Sequence, residues 1–135
     1  MLRRNKYNVS PAEARTFMAR CYDSKAECLY AKRLYAMRSE GLIRDYVEQP
    51  STWLGIPENK YRADFLVIPN TKRVPYYIDV KGVETPQFKK TKKLWAKYAY
   101  LDLVVVKLIN GKKFEVSEVI PGGADPKCED AQDKK

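Results

Sequence analysis

The clearest pattern of apolar and polar positions lies between residues 61 and 82. Tyr61-Arg62-Ala63-Asp64-Phe65-Leu66-Val67-Ile68 and Tyr76-Tyr77-Ile78-Asp79-Val80-Lys81-Gly82 are both rich in β-branched and aromatic residues, and the connector from Pro69 to Pro75 is turn material. The pattern predicts a β-hairpin. Each arm carries an acid where a strand ordinarily buries an apolar side chain. Asp79 and Lys81 are two apart and share one face, while Ile78 and Val80 take the other. A turn centred on Thr71-Lys72 sets Asp64 directly across from Asp79, with Cβ atoms roughly 4.5–5.5 Å apart. Carboxylates that close repel unless a cation lies between them. The hairpin therefore points to a divalent-metal site with a lysine at its edge.

Around it the pattern alternates between helical and extended. Ser10-Pro11-Ala12-Glu13 is a good helix start, with a capping serine, proline at the first helical position and glutamate at the third; that helix should end near Cys21 or Tyr22. Asp23-Ser24-Lys25-Ala26-Glu27 starts another, with Tyr30, Ala31, Leu34 and Met37 as its apolar stripe and Gly41 to end it. Glu27 shares the stripe's face. It fits a capping box with Ser24 and, on spacing alone, equally fits a carboxylate aimed into the hairpin's site. Leu42 to Gln49 reads as a strand closed by Glu48-Gln49-Pro50. In the loop from Ser51 to Lys60, Trp53 reads as a core residue, the alternative being a stacking platform for a base. Thr85-Pro86 caps a helix to about Tyr98, buried along Phe88, Trp95 and Tyr98, with Glu84 as a charge at its head. Leu101 to Ile109 is a strand buried on both faces, and Asn110-Gly111 turns it into a return strand from Lys113 to Val116. Tyr77, on the face of Asp79, either packs or contacts DNA. The order helix, three strands, helix, two strands predicts an α/β fold. The second helix acts as a crossover, giving a mixed central sheet flanked by helices.

Charge then narrows the partner. With 26 basic and 17 acidic residues among 135, the chain carries a net charge of +9, which points to a polyanion, nucleic acid ahead of an anionic membrane surface. Lys89, Lys93 and Lys97 recur every four residues with Lys90 beside them, and Lys92 lies nearer the apolar side. Such a row is either a solvated face or a phosphate-contacting one, and its start eight residues after Lys81 favours phosphate. The arm Met1 to Val9, with Arg3, Arg4 and Lys6, is a solubilising tail or a DNA grip. One domain covers residues 1–120, and the polar tail 121–135 reads as disordered. The sequence holds no histidine, which removes Ser-His and Cys-His catalysis and most zinc sites. Cys21, Cys28 and Cys128 lack a metal-type spacing and read as free thiols in a reducing cytoplasm. No membrane span or secretory signal is expected.

Asp64, then Asp79-Val80-Lys81, with Glu27 on the preceding helix, resemble the PD-(D/E)xK nuclease superfamily. Tyr22-Asp23-Ser24-Lys25-Ala26-Glu27, Glu48-Gln49-Pro50, Tyr61-Arg62-Ala63-Asp64-Phe65 and Thr85-Pro86-Gln87-Phe88 extend the resemblance to a small phage-encoded branch, similar in size and layout to Holliday junction resolvases. Ala63 stands where the name-giving proline would be, and Asp79 is the less common acid. The resemblance implies a restriction-endonuclease-like αβββαβ core and a Mg2+-dependent endodeoxyribonuclease, with Mn2+ as substitute, acting on branched DNA in the cytoplasm of an infected bacterium. Paired incisions at a junction imply a homodimer. Asp64, Asp79 and the Val80 carbonyl would hold the cation, with Glu27 acting through a water or at a second metal position. Lys81 would place the attacking water or stabilise charge on the phosphorus. Against this stand a sequence-specific or exonucleolytic enzyme of the same fold, a non-catalytic DNA-binding module, and a reading of Asp79 and Lys81 as a surface ion pair worth ~0.5 kcal/mol.

Overall fold

Asn110 and Gly111 both adopt positive φ, 54° and 66°, so the chain reverses there in the tight turn that matches strand twist. That hairpin closes one edge of a five-stranded sheet in a computed structural model that describes residues 11–123. The basic arm with Arg3, Arg4 and Lys6, Cys128 and nearly all of the expected disordered tail lie outside the described residues.

In chain order the elements are a 3-10 turn Ala12–Arg15, β1 (Thr16–Phe17), β2 (Arg20–Cys21), α1 (Lys25–Ser39), β3 (Asp45–Glu48), β4 (Ser51–Trp53), a second 3-10 turn Pro57–Asn59, β5 (Lys60–Arg62), β6 (Phe65–Ile68), β7 (Tyr76–Val80), α2 (Pro86–Tyr98), β8 (Leu103–Ile109) and β9 (Lys113–Ile120). The main sheet runs β3-β6-β7-β8-β9, and β1-β2 and β4-β5 form separate two-stranded ribbons. β7 and β8 are parallel, joined across α2, and the other pairings are antiparallel. The expected mixed α/β sheet flanked by two helices is what the chain forms.

Both helices start at their expected caps: Ser24 accepts from the Glu27 N–H and Thr85 from the Phe88 N–H. α1 ends where Gly41 takes φ +78°, and its final carbonyls are met by the N–H groups of Gly41 and Leu42, bonded to Arg38 and Met37. Alternation along β7 and β8 divides the core. Ile78 and Val106 pack under α1 with Ala31, Leu34, Phe65 and Val67. Leu103 and Val105 pack with Phe88 and Trp95 of α2. Trp95 is fully buried and its indole N–H donates to the Leu101 carbonyl. Among the described residues no helix is long and apolar enough to cross a membrane.

Four expectations are corrected. Of the helix expected from Ser10 to Tyr22, the described residues from Pro11 on form only one 3-10 turn, after which Met18 and Ala19 take φ of 54° and 67° and reverse the chain between β1 and β2. Trp53 is not core but 55% exposed. The next residue, Leu54, is buried against the α2 side instead. β8 is not buried along both faces, because Lys107 reaches solvent, and its partner β9 extends to Ile120 rather than Val116.

Candidate metal-binding and catalytic site

The pairs Phe65 with Ile78, Leu66 with Tyr77 and Val67 with Tyr76 set the β6–β7 register. The ladder ends there: Asp64, one residue before β6, donates its N–H to the Ile78 carbonyl at 3.1 Å, which keeps it beside Asp79 without a directly opposed pairing. The two residues are stitched together. The Asp64 N–H donates to Asp79 Oδ1 at 3.0 Å, and the Val80 N–H donates to Asp64 Oδ2 at 2.7 Å. Asp79 Oδ2 accepts from the Tyr61 hydroxyl and lies 3.8 Å from Lys81 Nζ. Asp79 is completely buried, so this is no surface ion pair. The Lys81 ammonium lies 4.6 Å from the centroid of the Phe88 ring and 6.0 Å from that of Tyr61, held where aromatic faces favour a cation. Tyr77, on the same side of β7, packs edge-on against Trp95 at 5.1 Å; its role is packing.

Burial and mutual charge set the electrostatics. Removal from water pushes the Asp64 carboxyl up to about 8, helped by the negative charges of Asp79 and Glu27 and opposed by the Val80 N–H and Lys81. Asp79 is also raised by burial, against the pull of Lys81, the Tyr61 hydroxyl and the Asp64 N–H. Two acids raised together in one buried corner are costly to ionise at once.

Glu27 is 4% exposed. The cap and the site use different parts of it: its N–H completes the Ser24 cap at 3.0 Å, while its carboxylate is favoured by the Gln49 side chain and disfavoured by the charge of Asp79. Burial raises its pKa first, then Asp23. Its Oε2 is buried without a hydrogen-bond partner. Gln49 has φ 53°, a left-handed backbone that costs on the order of 1 kcal/mol outside glycine, and its N–H donates to the Asp64 carbonyl at 2.9 Å. Tyr61, through its hydroxyl on Asp79, and Gln49, through its N–H on the Asp64 carbonyl, are thus structural partners of the acids that residue spacing alone did not mark, because each meets its acid across non-adjacent chain.

Among the described residues no group of three or more His, Cys, Asp and Glu side chains is placed so as to hold a metal ion. The donor set still suits a hard divalent cation, since every candidate ligand is oxygen and Glu27 offers a buried oxygen with nothing bound to it. The structure thus brings Glu27, Asp64, Asp79, Val80 and Lys81 into one neighbourhood. Lys89, Lys90, Lys93 and Lys97 line the exposed side of α2. Lys92 instead holds Glu84 at 2.7 Å and Glu118 at 3.0 Å, which makes Glu84 half of an ion pair.

Residues 4–116 match the family model described as protein of unknown function (DUF1064). No curated protein and no solved structure matches the chain.

Proposed function

The chain belongs to the DUF1064 family, and we propose that it is a Mg2+-dependent endodeoxyribonuclease, a hydrolase of DNA phosphodiester bonds. The observation that carries this reading is the pair Asp64 and Asp79, both raised in pKa, with Lys81 Nζ 3.8 Å from Asp79. The resemblance to PD-(D/E)xK nucleases supports it, as does the strongly basic charge. Asp64 and Asp79 would hold the cation, with the Val80 carbonyl as a further oxygen donor and Glu27 as a third acid beside them. When bound, a divalent ion neutralises a phosphate oxygen and lowers the pKa of water at the site. Tyr61 fixes the Asp79 carboxylate. Lys81 supplies a fixed positive charge to the phosphate as negative charge builds in the transition state. The lysines of α2 bind the flanking backbone.

The finer reading is a homodimeric resolvase of branched DNA from a phage, acting in the bacterial cytoplasm. Purified protein with Mg2+ is expected to nick a synthetic four-way junction at symmetric positions. Asp79→Ala should abolish cutting and Lys81→Ala should lower it by about a hundredfold or more, while binding persists in both. Equal cutting of linear duplex overturns the resolvase part alone, and no cutting with Mg2+ or Mn2+ overturns the enzyme. A second reading, a non-catalytic DNA-binding module, is favoured by the absence of a ready-made three-acid group among the described residues. It predicts salt-sensitive binding that is indifferent to divalent ions.

A further inference from the structure

The ribbon of β4 and β5 has two unlike faces. Its register pairs Ser51 with Arg62, Thr52 with Tyr61, and Trp53 with Lys60, and directly opposed residues point to the same side. Thr52 and Tyr61 are half-buried, and Tyr61 reaches inward to Asp79. Trp53, Lys60 and Arg62 are all exposed on the other side. An indole 55% exposed is unusual for so apolar a side chain. It does not belong to a loose loop, since Leu54 beside it is buried and Gly55 lies so close to the Tyr98 ring that an added Cβ would sit 3.0 Å from it. Lys60 Nζ stands 5.9 Å from the Trp53 ring centroid, and among the described residues neither Lys60 nor Arg62 has an ion-pair partner. A rigid aromatic face flanked by unpaired cations is what a single polynucleotide strand takes: bases stack on the ring and phosphates follow the cations.

We infer that the outer face of this ribbon binds an unpaired DNA strand, with one base stacked on Trp53 and its phosphates on Lys60 and Arg62. This deepens the nuclease reading and rests on it for the identity of the polymer. Lys60 precedes Asp64 by four residues, at most about 14 Å of extended chain, which bounds how far the ribbon stands from the acidic pair. The surface would select DNA opened into single strands near the cut.

The test is a fluorescence titration of the full-length protein with a 12-nucleotide oligo(dT), in EDTA so that no cutting intervenes. Of the two tryptophans, Trp95 is buried and Trp53 exposed, so quenching of the solvent-exposed emission reports stacking. Quenching is expected in the wild type and lost in Trp53→Phe. Trp53→Ala should bind about ten- to a hundredfold more weakly, and Lys60→Ala/Arg62→Ala should flatten the salt dependence. Unchanged affinity in Trp53→Ala overturns the inference. So does a loss of dimer rather than of oligonucleotide binding, which would make the ribbon an interface between copies. A protein that binds through Trp53 but never cuts fails only the hydrolase reading.

Discussion

Asp64, just before β6, and Asp79 on β7 are joined directly, the N–H of Asp64 donating to the carboxylate of Asp79 at 3.0 Å. Each backbone amide that holds this corner also lowers the cost of a buried negative charge. Without a cation those amides and Lys81 leave both acids well above their usual range.

That imbalance fixes the pH dependence of stability. A carboxyl with a folded-state pKa above its unfolded value of about 4 binds more protons folded than unfolded, so stability falls as pH rises through the interval between them. With Asp64 pushed up to about 8, the melting temperature of metal-free protein should fall across roughly pH 4–8. Asp64→Asn, which keeps an acceptor for the Val80 N–H, should flatten the slope, and Mg2+ should raise the melting temperature most near the alkaline end. Thermal unfolding monitored by circular dichroism checks this; a melting temperature that climbs over that interval contradicts it.

Tyr61→Phe removes the hydroxyl donor to a fully buried carboxylate. Loss of about 1–2 kcal/mol in urea unfolding is expected. A change of only a few tenths would mean that the hydroxyl does not bond Asp79 in solution.

Lys81→Ala should lower the rate of cutting by about a hundredfold or more while leaving DNA affinity nearly unchanged, measured by single-turnover cleavage alongside binding. An affinity loss with an intact rate would recast Lys81 as a binding residue.

The α2 lysines should act on affinity alone. Replacing Lys89, Lys93 and Lys97 by alanine should reduce the slope of log affinity against log salt by about 0.9 for each phosphate that the protein no longer neutralises. The residues are exposed, so the fold should persist. An unaltered slope would make this a merely solvated face.

The acidic hairpin was legible because alternation and a turn-rich connector set its register locally, and both long helices were legible from their caps. What failed depended on distant partners. The motif at Ser10 and Pro11 looks helical, but the following chain is drawn back so that buried Tyr22 can bond Glu48, 26 residues away. Trp53 and Leu54 are adjacent apolar residues, of which a ribbon buries only one. The space beside α2 took Leu54. Nothing near Tyr61 or Gln49 announces the acids they meet, since those contacts exist only after the sheet forms.

Whether this acidic corner holds a divalent cation decides the rest. Calorimetric titration of Mn2+ into the full-length protein tests it most directly. Saturable binding that vanishes in Asp79→Asn is the expected result; identical heats from the wild type and that variant, or no heat at all, would contradict it.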